Sequence, residues 1–255
     1  MRRLNELSFH HVASWAMIAV GLLTAAALHF IAAPYGRYAR GGWGPSLPSR
    51  AGWVIMEAPA CLGFLGIYLA GQHRAEAAPV VLLALWQLHY FHRAFIFPFR
   101  MRVTGKTMPA SVPLMAVGFN GWNAYINARF ISHLGDYPAE WLKDPRFLAG
   151  AALFLTGMAI NLWADTVLLH LRRPGEKGYR IPRGGLYELV ACPNYLGEIL
   201  EWTGWALATW SLSGLAFAVY TAANIGPRAA THLAWYRKQF PDYPPSRKAL
   251  IPYLW

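Results

Sequence analysis

The sequence predicts an all-α, polytopic membrane protein with seven transmembrane helices. Of its 255 residues, 56% are hydrophobic and only 14% charged, against roughly 25% charged in a soluble domain. The apolar residues gather in stretches of about twenty, the length that crosses a bilayer. No alternation of strand and helix patterns runs between them, so a nucleotide-binding sheet is excluded.

The expected spans are 11–33, 51–71, 77–98, 109–132, 146–169, 193–211 and 214–236. The first is long and lacks a small-residue cleavage site, so it reads as a retained helix and not a signal peptide. The second contains Pro59, which should kink the helix and leave backbone carbonyls unpaired. The third carries the run His89-Tyr90-Phe91-His92-Arg93. A polar loop from Ser132 to Pro138 follows the fourth. The stretch from Arg172 to Pro193 is too polar to span, and Pro174-Gly175, Pro182 and Gly184-Gly185 mark it as a folded loop. The short stretch Ser211-Leu212-Ser213-Gly214 marks the break between the last two spans. One membrane domain, 1–255, is the simplest division, with an N-terminal half (1–132) and a C-terminal half (146–255).

Basic residues are distributed unevenly. Sixteen fall in the segments after spans one, three and five and from Arg228 onward, where span seven leaves the membrane, and five on the opposite side. The positive-inside rule then places the C-terminus in the cytoplasm and the N-terminus outside. The net charge of +11 follows largely from this asymmetry and suits contact with anionic membrane lipid. Arg outnumbers Lys eighteen to five, a composition that suggests a bacterial inner membrane, with the endoplasmic reticulum as the eukaryotic counterpart. Cys61 and Cys192 cannot build a disulfide framework or a thiolate metal site. His89 and His92 lack a neighbouring carboxylate, so no metal is expected. Aromatics do not interleave with a basic stripe, which argues against nucleic acid, and no obligate protein partner is evident.

The chemistry-bearing residues are carboxylates at membrane depth: Glu57, Asp165, Glu198 and Glu201. A buried charge there costs about 2.5–3.5 kcal/mol on insertion scales, so each needs a partner or a polar cavity. Asn161 and Asp165 share a face of span five, with Arg172 two turns on. Asn194, Glu198 and Glu201 share a face of span six, and Arg228, His232 and Tyr236 share a face of span seven. Amides and carboxylates accept from sugar hydroxyls, Arg forks onto phosphate, and Tyr or His stacks on a heteroaromatic ring. The set therefore fits a dinucleotide. Blander roles are open too: Asp165 could pair with Arg172 or Arg228, and Glu201 could be a buried interhelical acceptor.

The N-terminal half has its own acid. Glu57 has no basic residue within eight positions except Arg50. Its apolar surroundings favour a neutral carboxyl that donates a hydrogen bond. Tyr90 lies at similar depth, and the two aimed at one carbonyl oxygen would form an oxyanion hole for an enolate.

Several runs are distinctive: Leu88 to Arg93, Gly157 to Asn161, Arg173-Pro174-Gly175-Glu176, Tyr179 to Pro182, Asn194 to Trp202, Ala206 to Leu212 and Ser246 to Pro252. On these the chain resembles the steroid 5α-reductases (3-oxo-5α-steroid 4-dehydrogenases), most of all the type 2 form, over nearly its whole length. The resemblance implies NADPH-dependent reduction of the Δ4 double bond of a 3-oxosteroid to a 5α-dihydrosteroid, by hydride transfer to C5 with enolate stabilisation. It implies that Glu57 and Tyr90 bind the 3-oxo group, beside Trp53 at the substrate entry. It also assigns cofactor contacts to Asn161, Asp165, Arg172, Tyr179, Asn194, Glu198, Arg228, His232, Tyr236 and, from the tail, Arg247. The loop 99–106 departs from the pattern, with Lys106 where the family has Arg. Rival readings are a reductase of another enone or enoyl lipid, a methyltransferase of the isoprenylcysteine kind, a proton-coupled transporter and a sterol-binding membrane protein.

Overall fold

The computed structural model describes residues 2–31, 36–38, 40–103, 105–172, 176 and 178–255, with side chains from residue 5 onward. The side chains of Arg2 and Arg3, together with Arg173, Pro174, Gly175 and Lys177, lie outside the described residues. Helix α1 (Arg2–Phe30) leads to a short two-stranded ribbon, β1 (Ser46–Pro48) antiparallel to β2 (Thr107–Pro109), with Leu47 opposite Met108. Between the strands run α2 (Ser49–Ala58) with α3 (Phe64–Leu69), and α4 (Ala77–Phe91) with α5 (Phe97–Arg100). Then come α6 (Ser111–Arg129), α7 (Pro145–His170), α8 (Pro193–Thr209) and α9 (Leu212–Gln239).

Two of these pairs are single helices interrupted by a π turn. Pro59 removes a backbone N–H, and the ladder widens over Pro59–Gly63 before α3 resumes. Two carbonyls of this turn accept from α4: Trp86 Nε1 donates to Ala60 O at 2.7 Å and Gln87 Nε2 to Cys61 O at 3.0 Å. A second π turn, His92–Ile96, joins α4 to α5. Starts are set locally. Asp144 accepts from the Arg146 N–H with Pro145 in the first turn of α7, and Ser211 accepts from the Gly214 N–H to begin α9.

Helix α7 lies along α8, α1 along α9, and α8 on α9. The core between them is aromatic. Trp86 stacks on Phe64 at 4.2 Å between ring centroids, and Trp202 meets Phe217 at 4.3 Å. The tail returns to the loop before α8, where Lys248 N donates to Leu189 O and Ala191 N to Lys248 O. This pairing makes the 178–192 loop and the tail one folded cap over the ends of α7, α8 and α9.

The expectation of seven spans is corrected. Among the described residues, four helical segments are long and apolar enough to cross a membrane: Asn5–Phe30, Ser49–Leu69, Ala77–Arg100 and Pro145–His170. The chain remains a multi-pass membrane protein, but α6, α8 and α9 fall short of that length or apolarity. The reason is their polar content and length. Helix α6 carries Asn120, Asn123, Asn127 and Arg129; α8 has only 17 residues with Asn194, Glu198 and Glu201; α9 holds Arg228, His232, Arg237 and Lys238. Asn120, Asn123, Asn127 and Glu201 are all buried, so this polarity is turned toward other helices.

Basic segments gather at one end. Arg100 donates to Thr166 at 2.8 Å and Arg102 to the Arg172 carbonyl, while Arg37 lies against Tyr179 and Trp235.

Candidate active site

The closest approach of α7 and α8 brings the two sequence stripes into direct contact. Asn161 Nδ2 donates to the Asn194 carbonyl and Asn194 Nδ2 to Asp165 Oδ1, both at 3.0 Å. Asn161 and Asp165 are buried, and Asn194 is supplied by the first turn of α8, just after Pro193. Glu198 is half-buried one turn further along α8.

The base that answers these acids is Arg93, at the π turn after α4. Its Nη1 lies 3.5 Å from Asp165 Oδ2 and its Nε 3.8 Å from Glu57 Oε1, with Glu198 also in electrostatic range. The guanidinium sits 4.9 Å from the Trp53 ring centroid and 4.8 Å from that of Phe97. Glu57 is therefore not the isolated acid expected from its neighbours in sequence: its counter-charge comes from another helix. Asp165 likewise pairs with Arg93 and not with Arg172 or Arg228. One cation thus joins the N-terminal acid to the C-terminal stripe.

Tyr90, three residues before Arg93, packs its ring 4.9 Å from Trp86 and 5.5 Å from Trp202. No side chain acts on its phenol electrostatically more than Glu57. His89, the preceding residue, binds Glu201 at 2.7 Å, and Trp202 packs edge-on to the imidazole at 4.7 Å. Glu201 is the buried interhelical acceptor weighed among its roles. His89 near the end of α4 and Arg93 in the π turn that follows thus serve the two buried acid clusters from one stretch of chain.

Away from Glu57, the remaining residues form a basic and aromatic end. Arg228 Nη2 donates to the Tyr195 hydroxyl at 3.2 Å. His232 lies between two phenols, Nδ1 at 3.0 Å from the Tyr38 hydroxyl and Nε2 at 3.1 Å from that of Tyr195. Burial pushes the Tyr38 phenol up to about 12, so at neutral pH it keeps its proton. Tyr179, Trp235 and Tyr236 present their rings to Arg37. Arg172 stands at the end of α7, donating to the Gly178 carbonyl at 3.0 Å. Arg247 is placed differently from the other expected contacts. It is fully buried, Nη1 on the Pro182 carbonyl and Nη2 on Glu188 at 2.7 Å, and fastens the tail to the loop. The Gly184 backbone N–H and Arg247 hold the Glu188 carboxyl below its ordinary value.

The donor set fits a phosphorylated dinucleotide. Amides and carboxylates line one end, guanidinium groups and rings the other, and Arg37 Nη1 is a buried donor without an acceptor among the described residues. Arg37, Tyr38, Arg93 and Tyr195 were absent from the sequence-derived set. Arg93 was visible as a base inside a predicted span, and spans with buried acids need one. The short turn Gly36–Tyr38 gave no comparable signal.

Similarity to known proteins agrees with this geometry. A family profile described as 3-oxo-5-alpha-steroid 4-dehydrogenase matches residues 106–255. Steroid 5-alpha-reductase DET2 of Gossypium hirsutum is 43% identical over 256 residues, 98% of this chain and 99% of the relative. The 3-oxo-5-alpha-steroid 4-dehydrogenase 1 of Bos taurus is 45% identical over 92% of this chain and 93% of its own length. The 3-oxo-5-alpha-steroid 4-dehydrogenase 2 of Rattus norvegicus is 46% identical over 82% of each. With type 1, type 2 and plant relatives at similar identity, what the matches establish is the family and not a type. The chain belongs to the 3-oxo-5-alpha-steroid 4-dehydrogenase family.

Proposed function

We propose that Glu57 and Tyr90 hold the carbonyl oxygen of the substrate while the Asn161–Asp165–Asn194 stripe and the basic end hold the cofactor. The reaction is NADPH-dependent reduction of the Δ4 double bond of a 3-oxosteroid, within a multi-pass membrane protein. The observation that carries the residue roles is Arg93, a single cation in reach of both Glu57 and Asp165. It ties the carbonyl site to the cofactor stripe.

NADPH, when bound, would supply a hydride to C5 of the enone. That addition places negative charge on the 3-oxo oxygen as an enolate, which is discharged when C4 takes a proton. Tyr90 donates its O–H to that oxygen. Glu57 donates from its neutral form: Glu57, Asp165 and Glu198 share one guanidinium, and a proton on Glu57 relieves the excess negative charge at this depth. Each such donor lowers the barrier by about 3 kcal/mol when it is positioned for the oxyanion. Trp53, packed on Arg93 and Phe97, walls the site where an apolar, sterol-sized substrate would enter from the lipid. Asn161, Asp165, Asn194 and Glu198 accept from and donate to the ribose and amide groups. Arg172, Arg228, His232, Tyr179 and Tyr236 meet the phosphates and the adenine end, and Arg247 contributes by holding the tail against the loop.

The reaction is tested by anaerobic incubation with NADPH and a panel of Δ4-3-oxosteroids, followed by mass spectrometry for a gain of two hydrogens. Turnover only of open-chain enones would favour the rival enoyl-lipid reading. The type 2 likeness, supported by the runs 88–93 and 194–202, is a proposal about substrate handling. It fails if the steroid panel ranks as it does for a type 1 enzyme.

Arg172→Ala and Arg228→Ala are expected to weaken NADPH at equilibrium by roughly 1.5–3 kcal/mol for each charged hydrogen bond lost. Titration of folded variants with unchanged affinity would remove these two residues from the cofactor site. The orientation proposed is a cytoplasmic basic end, with the 172–183 loop and Trp255 inside, supported by the gathering of Arg37, Arg100, Arg102 and Arg172 at that end. Cysteine probes at 180 and 255 are expected to resist impermeant labelling in intact cells, and labelling from outside would reverse it.

A further inference from the structure

Among the described residues, no carboxylate forms an ion pair with Arg37. The groups that act on it most strongly are the phenols of Tyr236, which also hydrogen-bonds to it, Tyr38 and Tyr179. Its Nη1 is buried without a hydrogen-bond partner. Three rings surround its guanidinium, Trp235 at 4.4 Å, Tyr236 at 5.1 Å and Tyr179 at 5.2 Å from their centroids. Rings and phenols orient a guanidinium but do not neutralise it, and a part-buried charge left uncompensated is costly. The arrangement is that of a donor held ready for an anion.

Position along the site says which anion. Contacts run without a break from Glu57 through Arg93 to Asp165 and Asn194. The next residue, Tyr195, leads to Arg228 and His232, then Tyr38, and its neighbour Arg37 with the three rings ends the series. The reacting end of the cofactor belongs beside Glu57 and Tyr90, so the adenosine end belongs beside Arg37. Arg228, midway, is placed for the pyrophosphate. The anion at the adenosine end is the 2′-phosphate.

We infer that Arg37, held by Trp235, Tyr179 and Tyr236, binds the 2′-phosphate and makes the site select NADPH over NADH. The N-terminal turn Gly36–Tyr38 thereby becomes part of a cofactor site otherwise built from α7, α8, α9 and their loop. This inference rests on the proposed placement of the cofactor.

The test is equilibrium titration of full-length protein in detergent with NADPH and with NADH, read by tryptophan fluorescence. Wild type is expected to prefer NADPH. Arg37→Gln should lose about ten- to a hundredfold in NADPH affinity, the worth of a charged hydrogen bond, with NADH affinity unchanged, so that the preference collapses. Arg37→Lys keeps the charge and should retain part of it, with a thermal melt confirming that both variants are folded. An Arg37→Gln protein that keeps the wild-type preference, or loses both nucleotides equally, overturns the assignment. A wild type that binds neither nucleotide, or both alike, instead removes the cofactor reading beneath it.

Discussion

Glu57→Gln and Tyr90→Phe are each expected to lower turnover by about 10²- to 10³-fold, the usual cost of one oxyanion donor, while NADPH affinity stays at the wild-type level. Neither side chain belongs to the Asn161–Asp165–Asn194 contact network, and only Arg93 stands between Glu57 and that network. Tyr90→Phe removes the hydroxyl and keeps the ring packed on Trp86 and Trp202, so the fold should be retained. Glu57→Gln keeps the shape and leaves Arg93 with Asp165. Both donors act on one oxygen, so the double variant should fall short of the product of the two losses. Single-turnover rates near wild type in both variants, with steroid bound, would take these residues out of the chemistry.

The stripes on α7, α8 and α9 were legible because a helix repeats every 3.6 residues: Asn161 with Asp165, and Asn194 with Glu198, had to share faces. That α7 and α8 would press those faces together was not legible, since periodicity says which side a residue takes and not which helix it meets. Pro59 announced a local break, and the structure shows its form, a π turn whose carbonyls are caught by Trp86 and Gln87. The partner of Glu57 was missed because it was sought along the chain, whereas Arg93 arrives from the end of α4. The span count failed for a related reason. Asparagines that α6 buries against other helices, the 17-residue length of α8 and the basic and polar residues of α9 leave these three short of the length or apolarity of a membrane-crossing segment.

Gly157→Val is expected to abolish folding, and Gly157→Ala to destabilise by more than about 3 kcal/mol, beyond the ordinary cost of overpacking a core. A Cβ on Gly157 would lie 2.3 Å from the Glu201 nitrogen and 2.5 Å from the Gly197 carbonyl oxygen. A Cβ on Gly197 would lie 2.6 Å from both Asn161 N and Gly157 O. Two turns away the same reciprocity recurs, with Gly150 facing Ala208 and Gly204, and Gly204 facing Phe154 and Gly150. Every one of these obstacles is backbone, so no rotamer change relieves it and the helices must separate. Small residues at this spacing are how apolar helices pack closely where no hydrophobic force draws them together. Separation would first break the 3.0 Å bonds from Asn161 to Asn194 and from Asn194 to Asp165, one to two turns from Gly157. NADPH affinity should therefore fall in Gly157→Ala even where some folded protein survives. Gly121 on α6 has nothing within 4 Å of its Cβ position and serves as the control, with Gly121→Ala expected to melt as wild type does. Thermal denaturation in detergent reads both. A Gly157→Ala protein that melts with the control and binds NADPH normally would show that the α7–α8 contact is looser than these distances require, and the cofactor stripe would have to be held together by something other than that contact.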